Sequence, residues 1–209
     1  MKNYCVITAD IRKSREAAER QQLQELIFTT LKEVNKRFKE NLTVEFRITL
    51  GDEWQGVLPN LAYSYAISSL FIEKFYPHSL AIGIGEGGIT TSVRPRSAEM
   101  DGPAFHRSRH AVETAKKRQS DLFYETTQPG IDILVNNNCR LLQIIRKSWT
   151  PRQFQKVKLY KYLKTEAAVA KKLQVSQVDI HKTLSAANGK PFLEAMENLN
   201  EFFIQTYNR

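Results

Sequence analysis

Between residues 3 and 126 the apolar pattern switches repeatedly between short strand-like runs and helical spacing, and beyond residue 131 the strand signal does not return. Residues 3–10, NYCVITAD, read as a buried strand ending in Asp10, with Tyr4, Val6 and Ile7 as strand formers. Leu23, Leu26, Ile27, Leu31, Val34 and Phe38 then recur at helical spacing, which predicts one long amphipathic helix over residues 16–40. Residues 43–50 and 53–59 read as two strands around Gly51-Asp52, and 61–76 as a helix stopped by Pro77. Residues 79–87 read as a strand in which Gly83 and Gly85 leave room for close backbone approach. A polar excursion over 88–101 leads to a helix over 103–117, opened by Asp101-Gly102-Pro103, and to a last short strand over 120–126. The order strand, helix, hairpin, helix, strand, helix, strand predicts the α+β class. Its form is a ferredoxin-like split βαβ sheet with helices on one face, occupying residues 1–128.

A chain of 209 residues with 42% hydrophobic residues can bury a proper core. It has no apolar run of about 18 residues, and Lys2-Asn3 lead straight into the first strand without a signal peptide. Cys5 and Cys139 are too few for a disulfide framework and read as reduced core thiols of a cytoplasmic protein. The net charge of +9 is uneven: residues 1–130 hold 18 Lys and Arg against 16 Asp and Glu, whereas residues 131–209 hold 13 against 6. Such an excess suits an anionic partner, most often nucleic acid, or simply a solubilising lysine surface.

The hairpin RITLGDEWQGVL places Asp52 and Glu53 at its tip between apolar arms. Either they form the polar corner of a solvated turn, or they hold something positive. In the predicted topology the first strand lies beside one arm of this hairpin, about 4.8 Å away, so Asp10 and Asp52 can converge. Two carboxylates that close repel unless a cation joins them, and Mg²⁺ is a usual solution. Glu53, one residue on, faces the opposite side. His106 and His110 lie one helical turn apart, a spacing that can bind zinc, but no third ligand is evident.

The segments VITADIRKS, ITLGDEWQGVL, AIGIGEGG and DGPAFHRSRHAVETA together resemble the catalytic palm domain of class III nucleotide cyclases and, more loosely, of diguanylate cyclases. The chain as a whole resembles the SatD family, bacterial cytoplasmic proteins with such an N-terminal region and a C-terminal helix-turn-helix. The resemblance implies that Asp10 and Asp52, with the backbone carbonyl of Ile11, hold Mg²⁺ on a nucleotide triphosphate. It also implies that Arg12, Lys13 and Ser14 lie near the phosphates, in the turn before the long helix. At the family's purine-reading lysine this chain has Ile48, and at its ribose and transition-state positions it has His106 and His110. Histidine lacks the permanent forked cation of arginine, so binding survives this comparison better than cyclisation.

Residues 129–209 read as a helical domain, with helices over 130–146, 151–163 and 190–206. Residues 165–187 resemble a bacterial helix-turn-helix: Ala170 lets the helices cross closely, Ile180 and Leu184 point inward, Ser176 caps the second helix, and Gln174 replaces the usual turn glycine. In a docked complex the segment from Ser176 onward would enter the major groove, with Gln177, Asp179, His181 and Lys182 as base-reading candidates. Lys171, Lys172, Arg152 and Lys156 would address phosphates. The alternative is a helical hairpin that packs domains or subunits. The sequence therefore points to a homodimeric DNA-binding regulator whose palm binds a nucleotide or Mg²⁺. Its runner-up is an active Mg²⁺-dependent nucleotidyl cyclase or nucleotide hydrolase with a helical interaction domain, and a third reading is an adaptor that has lost all ligands.

Overall fold

The computed structural model describes residues 2–14 and 20–208. Its strands are β1 (Tyr4–Ile11), β2 (Val44–Leu50), β3 (Glu53–Leu58), β4 (Leu80–Gly87) and β5 (Leu122–Glu125). Its helices are α1 (Arg20–Arg37), α2 (Ser64–Phe75), α3 (Pro103–Arg118), α4 (Pro129–Lys147), α5 (Pro151–Leu163), α6 (Glu166–Leu173), α7 (Gln177–Ala186) and α8 (Gly189–Tyr207). The start expected for the first helix, residues 16–19, lies outside the described residues. The polar excursion before α3 contains one short 3-10 turn, Ser97–Glu99.

The strands form one mixed sheet in the order β2-β3-β1-β4-β5. The first four are antiparallel, in the ferredoxin-like arrangement, and β5 adds to the edge parallel to β4 through the α3 crossover. The helices, however, do not share one face. Thr8 pairs with Gln55 and Gly83, and its hydroxyl accepts a hydrogen bond from Ser108 of α3 at 2.8 Å. Trp54, next to Gln55 and therefore pointing the other way, stacks on Phe75 of α2 at 4.9 Å. So α2 covers one face and α3 the other. The expectation of a single helical face fails because β4 has a second crossover to cover it, and a sheet buried on both faces needs apolar or minimal side chains on both. β4 meets that need with glycine. A Cβ on Gly83 would lie 2.3 Å from the backbone of Ser108 and Val112, and one on Gly85 would lie 2.2 Å from Ser108 N. The close approach read from these glycines is therefore the backbone of α3.

Both sheet edges are closed in the same way. On β2, Phe46 donates its N–H to Asn35 Oδ1 (2.8 Å) and accepts from Asn35 Nδ2 (2.9 Å). On β5, Tyr124 makes the same two bonds with Asn136 of α4, at 2.7 and 2.9 Å. Each asparagine amide stands in for a further strand and blunts an edge that would otherwise template pairing with another chain.

The chain divides into two compact units, residues 1–139 with 200–209, and residues 140–199. The division falls inside α4 and α8, while the boundary expected at residue 128 marks the start of α4. In the first unit Phe203 of α8 stacks on Tyr124 (5.1 Å) and Tyr65 (6.5 Å). In the second, Trp149 donates from Nε1 to Ala187 O at 2.7 Å and meets Phe192 edge-on at 4.6 Å. α5 opens with a capping box between Thr150 and Gln153, and Ser176 caps α7. Cys5 and Cys139 are both buried, and neither is in a disulfide. Among the described residues no helix is long and apolar enough to cross a membrane.

Candidate metal and nucleotide site

Asp10 sits at the end of β1, opposite Ala81 in β4 and one residue past the last pair with β3, Ala9 with Trp54. Beside it the β2–β3 hairpin turns through Gly51-Asp52, with Leu50 paired to Glu53. Gly51 has φ +60°, so the first loop position takes the left-handed conformation that glycine accepts most easily. The corner is thus real, but it does not satisfy Asp52: the Oδ2 atom is buried without a hydrogen-bond partner. Glu53 accepts from Thr49 Oγ1 at 2.6 Å.

A lysine from α3 completes the cluster. Lys116 Nζ lies 3.1 Å from Asp10 Oδ2 and 3.4 Å from Glu113 Oε1. Burial pushes the Asp10 carboxyl above its ordinary range, the Lys116 hydrogen bond and charge pull it down, and the charges of Asp52 and Glu53 push it up again. Burial alone would lower Lys116, but its hydrogen bond and charge pairing with Asp10, together with Glu113, outweigh that and hold it above a free lysine. The ammonium is therefore firmly charged, yet one ammonium does not neutralise this corner.

The donors fit a small, oxygen-seeking divalent cation. Among the described residues no group of three or more His, Cys, Asp or Glu is arranged to hold a metal. Mg²⁺ is nevertheless commonly bound by one or two carboxylates, with water and phosphate oxygens completing its shell, and the partnerless buried oxygen of Asp52 is the unmet demand such an ion would fill. Ile11 ends β1 opposite Leu80 with its side chain buried, so it could contribute only its carbonyl.

The candidates for nucleotide contact are scattered. Arg12 is not turned to a phosphate: its guanidinium donates to the carbonyls of Leu80 (3.0 Å), Lys116 (3.3 Å), Ala115 (2.8 Å) and Ser120 (2.7 Å). It caps the C-terminal end of α3, where exposed carbonyls and the helix dipole favour a cation. Lys13 is exposed with φ +59°, and Ser14 is half-buried beside it. His106 Nε2 lies 2.8 Å from Asp101 Oδ1, His110 Nδ1 bonds Glu125 Oε2, and both rings are exposed, at 69% and 71%. At a rise of about 1.5 Å per residue, they stand roughly 15 and 9 Å along α3 from Lys116. They do not join Asp10 in the same chain. Each pairs with a different carboxylate, and among the described residues no group of three or more His, Cys, Asp or Glu is arranged to hold a metal.

The profile of the SatD family matches residues 4–202. The chain belongs to the SatD family. A search of curated proteins found no match. Among solved structures, similar chains include a dimeric guanylyl cyclase domain from the fungus Blastocladiella emersonii, at 18% identity over 55% of this chain and 75% of that one, with a TM-score of 0.41. A bacterial light-regulated adenylyl cyclase gives 14% identity over 58% and 74%, with a TM-score of 0.42. The adenylyl cyclase CyaB from P. aeruginosa gives 18% over 54% and 72%, with a TM-score of 0.36.

In this SatD-family chain the helical unit keeps some DNA-contact candidates outside and takes others in. Lys171, Lys172, Gln177 and Lys182 are exposed. Lys156 is not: it is 1% exposed, and its ammonium bonds Asp179 Oδ2 at 2.6 Å and Thr183 Oγ1 at 2.9 Å. Arg152 reaches the same carboxylate oxygen at 3.5 Å. Asp179 and Lys156 are thus occupied with each other across α5 and α7, and Ser176 Oγ accepts from Asp179 N as a helix cap. His181 meets Glu166 at 3.2 Å, and that carboxylate is also held by Lys190 at 2.7 Å.

The residue of the Asp10–Asp52 cluster that sequence reasoning missed is Lys116. Its signal was the crossover between β4 and β5, which forces α3 across β1 and brings the helix's last turn to Asp10.

Proposed function

We propose that the N-terminal unit binds a divalent cation and, through it, a nucleoside triphosphate, as a Mg²⁺-dependent nucleotidyl cyclase or nucleotide hydrolase does, with the helical unit as an interaction module. The carrying observation is the buried, partnerless Asp52 Oδ2 beside a half-buried Asp10 whose proton affinity burial has raised. Asp10 and Asp52 would hold the cation, which when bound would neutralise phosphate charge and polarise the phosphorus–oxygen bonds. The chain's own residues do the rest: Asp10 and Asp52 fix where the phosphates sit, Arg12 fixes the end of α3, and the hairpin shields one side from water. Of the two reactions, hydrolysis asks less of this chain. Cyclisation needs the ribose oriented and the transition-state charge stabilised, and the histidines at those positions are already bonded to carboxylates. A homodimer belongs to the same proposal, because only a second copy could bring His106 or His110 to an Asp10 site.

The test is a thermal-shift series with Mg²⁺ and Mn²⁺, each with and without ATP or GTP, followed by assays for released phosphate and for cyclic nucleotide. The expected result is a metal-dependent rise in melting temperature, larger with triphosphate and absent in Asp10→Asn. Phosphate release without cyclic product is expected, and a melting temperature indifferent to both metals would end the reading. A second reading gives the helical unit a role on duplex DNA through the exposed Lys171, Lys172, Gln177 and Lys182. It requires full-length protein to bind duplex with a steep salt dependence that flattens when Lys171 and Lys172 become Ala.

A further inference from the structure

We infer that Lys116 is the resident cation of this site: its ammonium holds Asp10 while no metal is bound, leaves when a divalent ion joins Asp10 to Asp52, and then takes up the phosphates that the ion carries. The inference rests on the metal reading of Asp10 and Asp52 and adds to it a third group with two positions.

Three observations carry it. The first is stoichiometric. Lys116 Nζ is bonded to Asp10 Oδ2, while Asp52 Oδ2 stays buried with no partner. A single positive charge on one aspartate leaves the other unanswered, whereas a divalent ion between them answers both. A divalent ion that binds through Asp10 Oδ2 repels the ammonium in contact with the same oxygen. Metal taken up through that oxygen therefore displaces Lys116.

The second observation is that it can move without disturbing the fold. The helix end is fixed through its backbone, by Arg12 donating to the carbonyls of Ala115, Lys116 and Ser120. The ammonium is at the end of a flexible four-carbon stem, and the Lys116 side chain is 36% exposed. Its second partner, Glu113, is 57% exposed and 3.4 Å away, a resting place one turn back on the same helix.

The third concerns where a displaced ammonium goes. A bare metal ion offers it nothing, so the ammonium gives up its pairing with Asp10 and keeps only the exposed Glu113. A metal–triphosphate complex brings anionic oxygens to the same spot, and these accept charge-assisted hydrogen bonds from a lysine in reach. Lys116 thus opposes the free ion and favours the ion with its polyphosphate. This gives the site a preference that two aspartates alone would lack.

One substitution should then have opposite effects on two ligands. Isothermal titration calorimetry on the full-length protein would compare wild type with Lys116→Gln, using Mn²⁺ alone and the Mn²⁺ complex of inorganic tripolyphosphate. Lys116→Gln should bind Mn²⁺ alone more tightly, by about three- to fivefold, the worth of a partly exposed ion pair. It should bind the Mn²⁺–tripolyphosphate complex more weakly, by about tenfold, the loss of a charged hydrogen bond. Lys116→Arg, which keeps the charge, should stay near wild type for the complex. Unchanged or weakened Mn²⁺ binding in Lys116→Gln overturns the resident-cation role. Tighter binding of both ligands overturns the phosphate role and leaves Lys116 a simple competitor. Absence of Mn²⁺ binding in both proteins, with folding verified by circular dichroism, removes the Asp10–Asp52 metal site and this inference with it.

Discussion

Each unit of this chain contains an aspartate bonded to a lysine from a different element, and the two pairs are finished differently. In the helical unit Lys156 is buried, and its ammonium has two oxygen partners, Asp179 Oδ2 and Thr183 Oγ1, while Arg152 adds a second charge to the carboxylate. In the sheet unit Lys116 serves Asp10, but Asp52 beside it has a buried oxygen with none. The shifts follow: the hydrogen bond from Lys156 holds Asp179 below the ordinary carboxylate range against its own burial cost, whereas burial lifts Asp10 above it. A completed pair binds helices together and leaves nothing for a ligand. An incomplete one leaves unbalanced charge at the surface, which is what a binding site consists of before its ligand arrives.

The comparison breaks if the helical pair is not structural. Asp179→Ala strands the buried Lys156 ammonium and should lower the melting temperature more than any change at the Asp10–Asp52 corner. Lys156→Met should cost much less, since the carboxylate left behind is partly exposed and still near Arg152. The double variant Lys156→Met/Asp179→Ala should recover most of the loss. Equal losses from the two single variants in thermal melts would mean that the pair matters for packing and not for charge.

Asp52→Asn addresses the incomplete pair. At a metal concentration about a hundred times Kd, binding adds about 2.7 kcal/mol to wild-type stability, and the variant should lose that increment in a Mn²⁺ thermal-shift titration. Without metal it should be slightly more stable than wild type, because Asp10 is freed from one repelling charge. A variant destabilised without metal would assign Asp52 to the turn alone.

The two aspartates should also respond to pH with opposite signs. Asp179 is depressed in the folded state, so its stabilisation is present above the unfolded value, 3.8, and is lost as pH falls through the lower folded value. Asp10 is raised, so between 3.8 and its folded value the native state holds the extra proton, and stability declines as pH rises through that window. Denaturant melts from pH 3 upward should show a shallower acid limb for Asp179→Asn. For Asp10→Asn they should show the decline above 3.8 removed. Profiles that change in the same direction would contradict the assignment of burial to one and pairing to the other.

Much of this could be read from the sequence, and the misses share a cause. The order of elements, the strand end at Asp10, the hairpin corner at Asp52, the helix starts at Pro103 and Pro151 and the cap at Ser176 are local, set by periodicity and by residues within a few positions. Missed were the interactions that depend on which side of the sheet a helix falls. With α3 assumed to share a face with α2, nothing placed Lys116 at Asp10 or Arg12 under the end of α3. Lys156 was read as a surface cation because its neighbours in sequence are basic. Its burial comes from α7, which lies more than twenty residues away. Charged residues report their type in a sequence, but whether the charge faces water or a partner is decided by long-range packing.

The smallest effect compares two turns that use one backbone conformation. Gly51 at the hairpin has φ +60°, with open space where a Cβ would go. Gln174, between α6 and α7, has φ +55°, and its N–H bonds the carbonyls of Ala170 and Lys171. An L side chain in this conformation costs roughly 1–2 kcal/mol, and glycine escapes that cost at the expense of greater freedom when unfolded. The hairpin turn therefore uses the permissive residue and the α6–α7 turn does not. Gly51→Ala should destabilise by about 1 kcal/mol, without any steric clash, because the space is open. Gln174→Gly should stabilise by about 0.5–1 kcal/mol, with the helix end and its bonds unchanged. Paired urea melts of the two variants would show displacements of the midpoint in opposite directions at equal slope. If Gln174→Gly is instead destabilising, the glutamine side chain holds the turn by a contact that outweighs its strain, and the α6–α7 turn is more specialised than its geometry alone indicates.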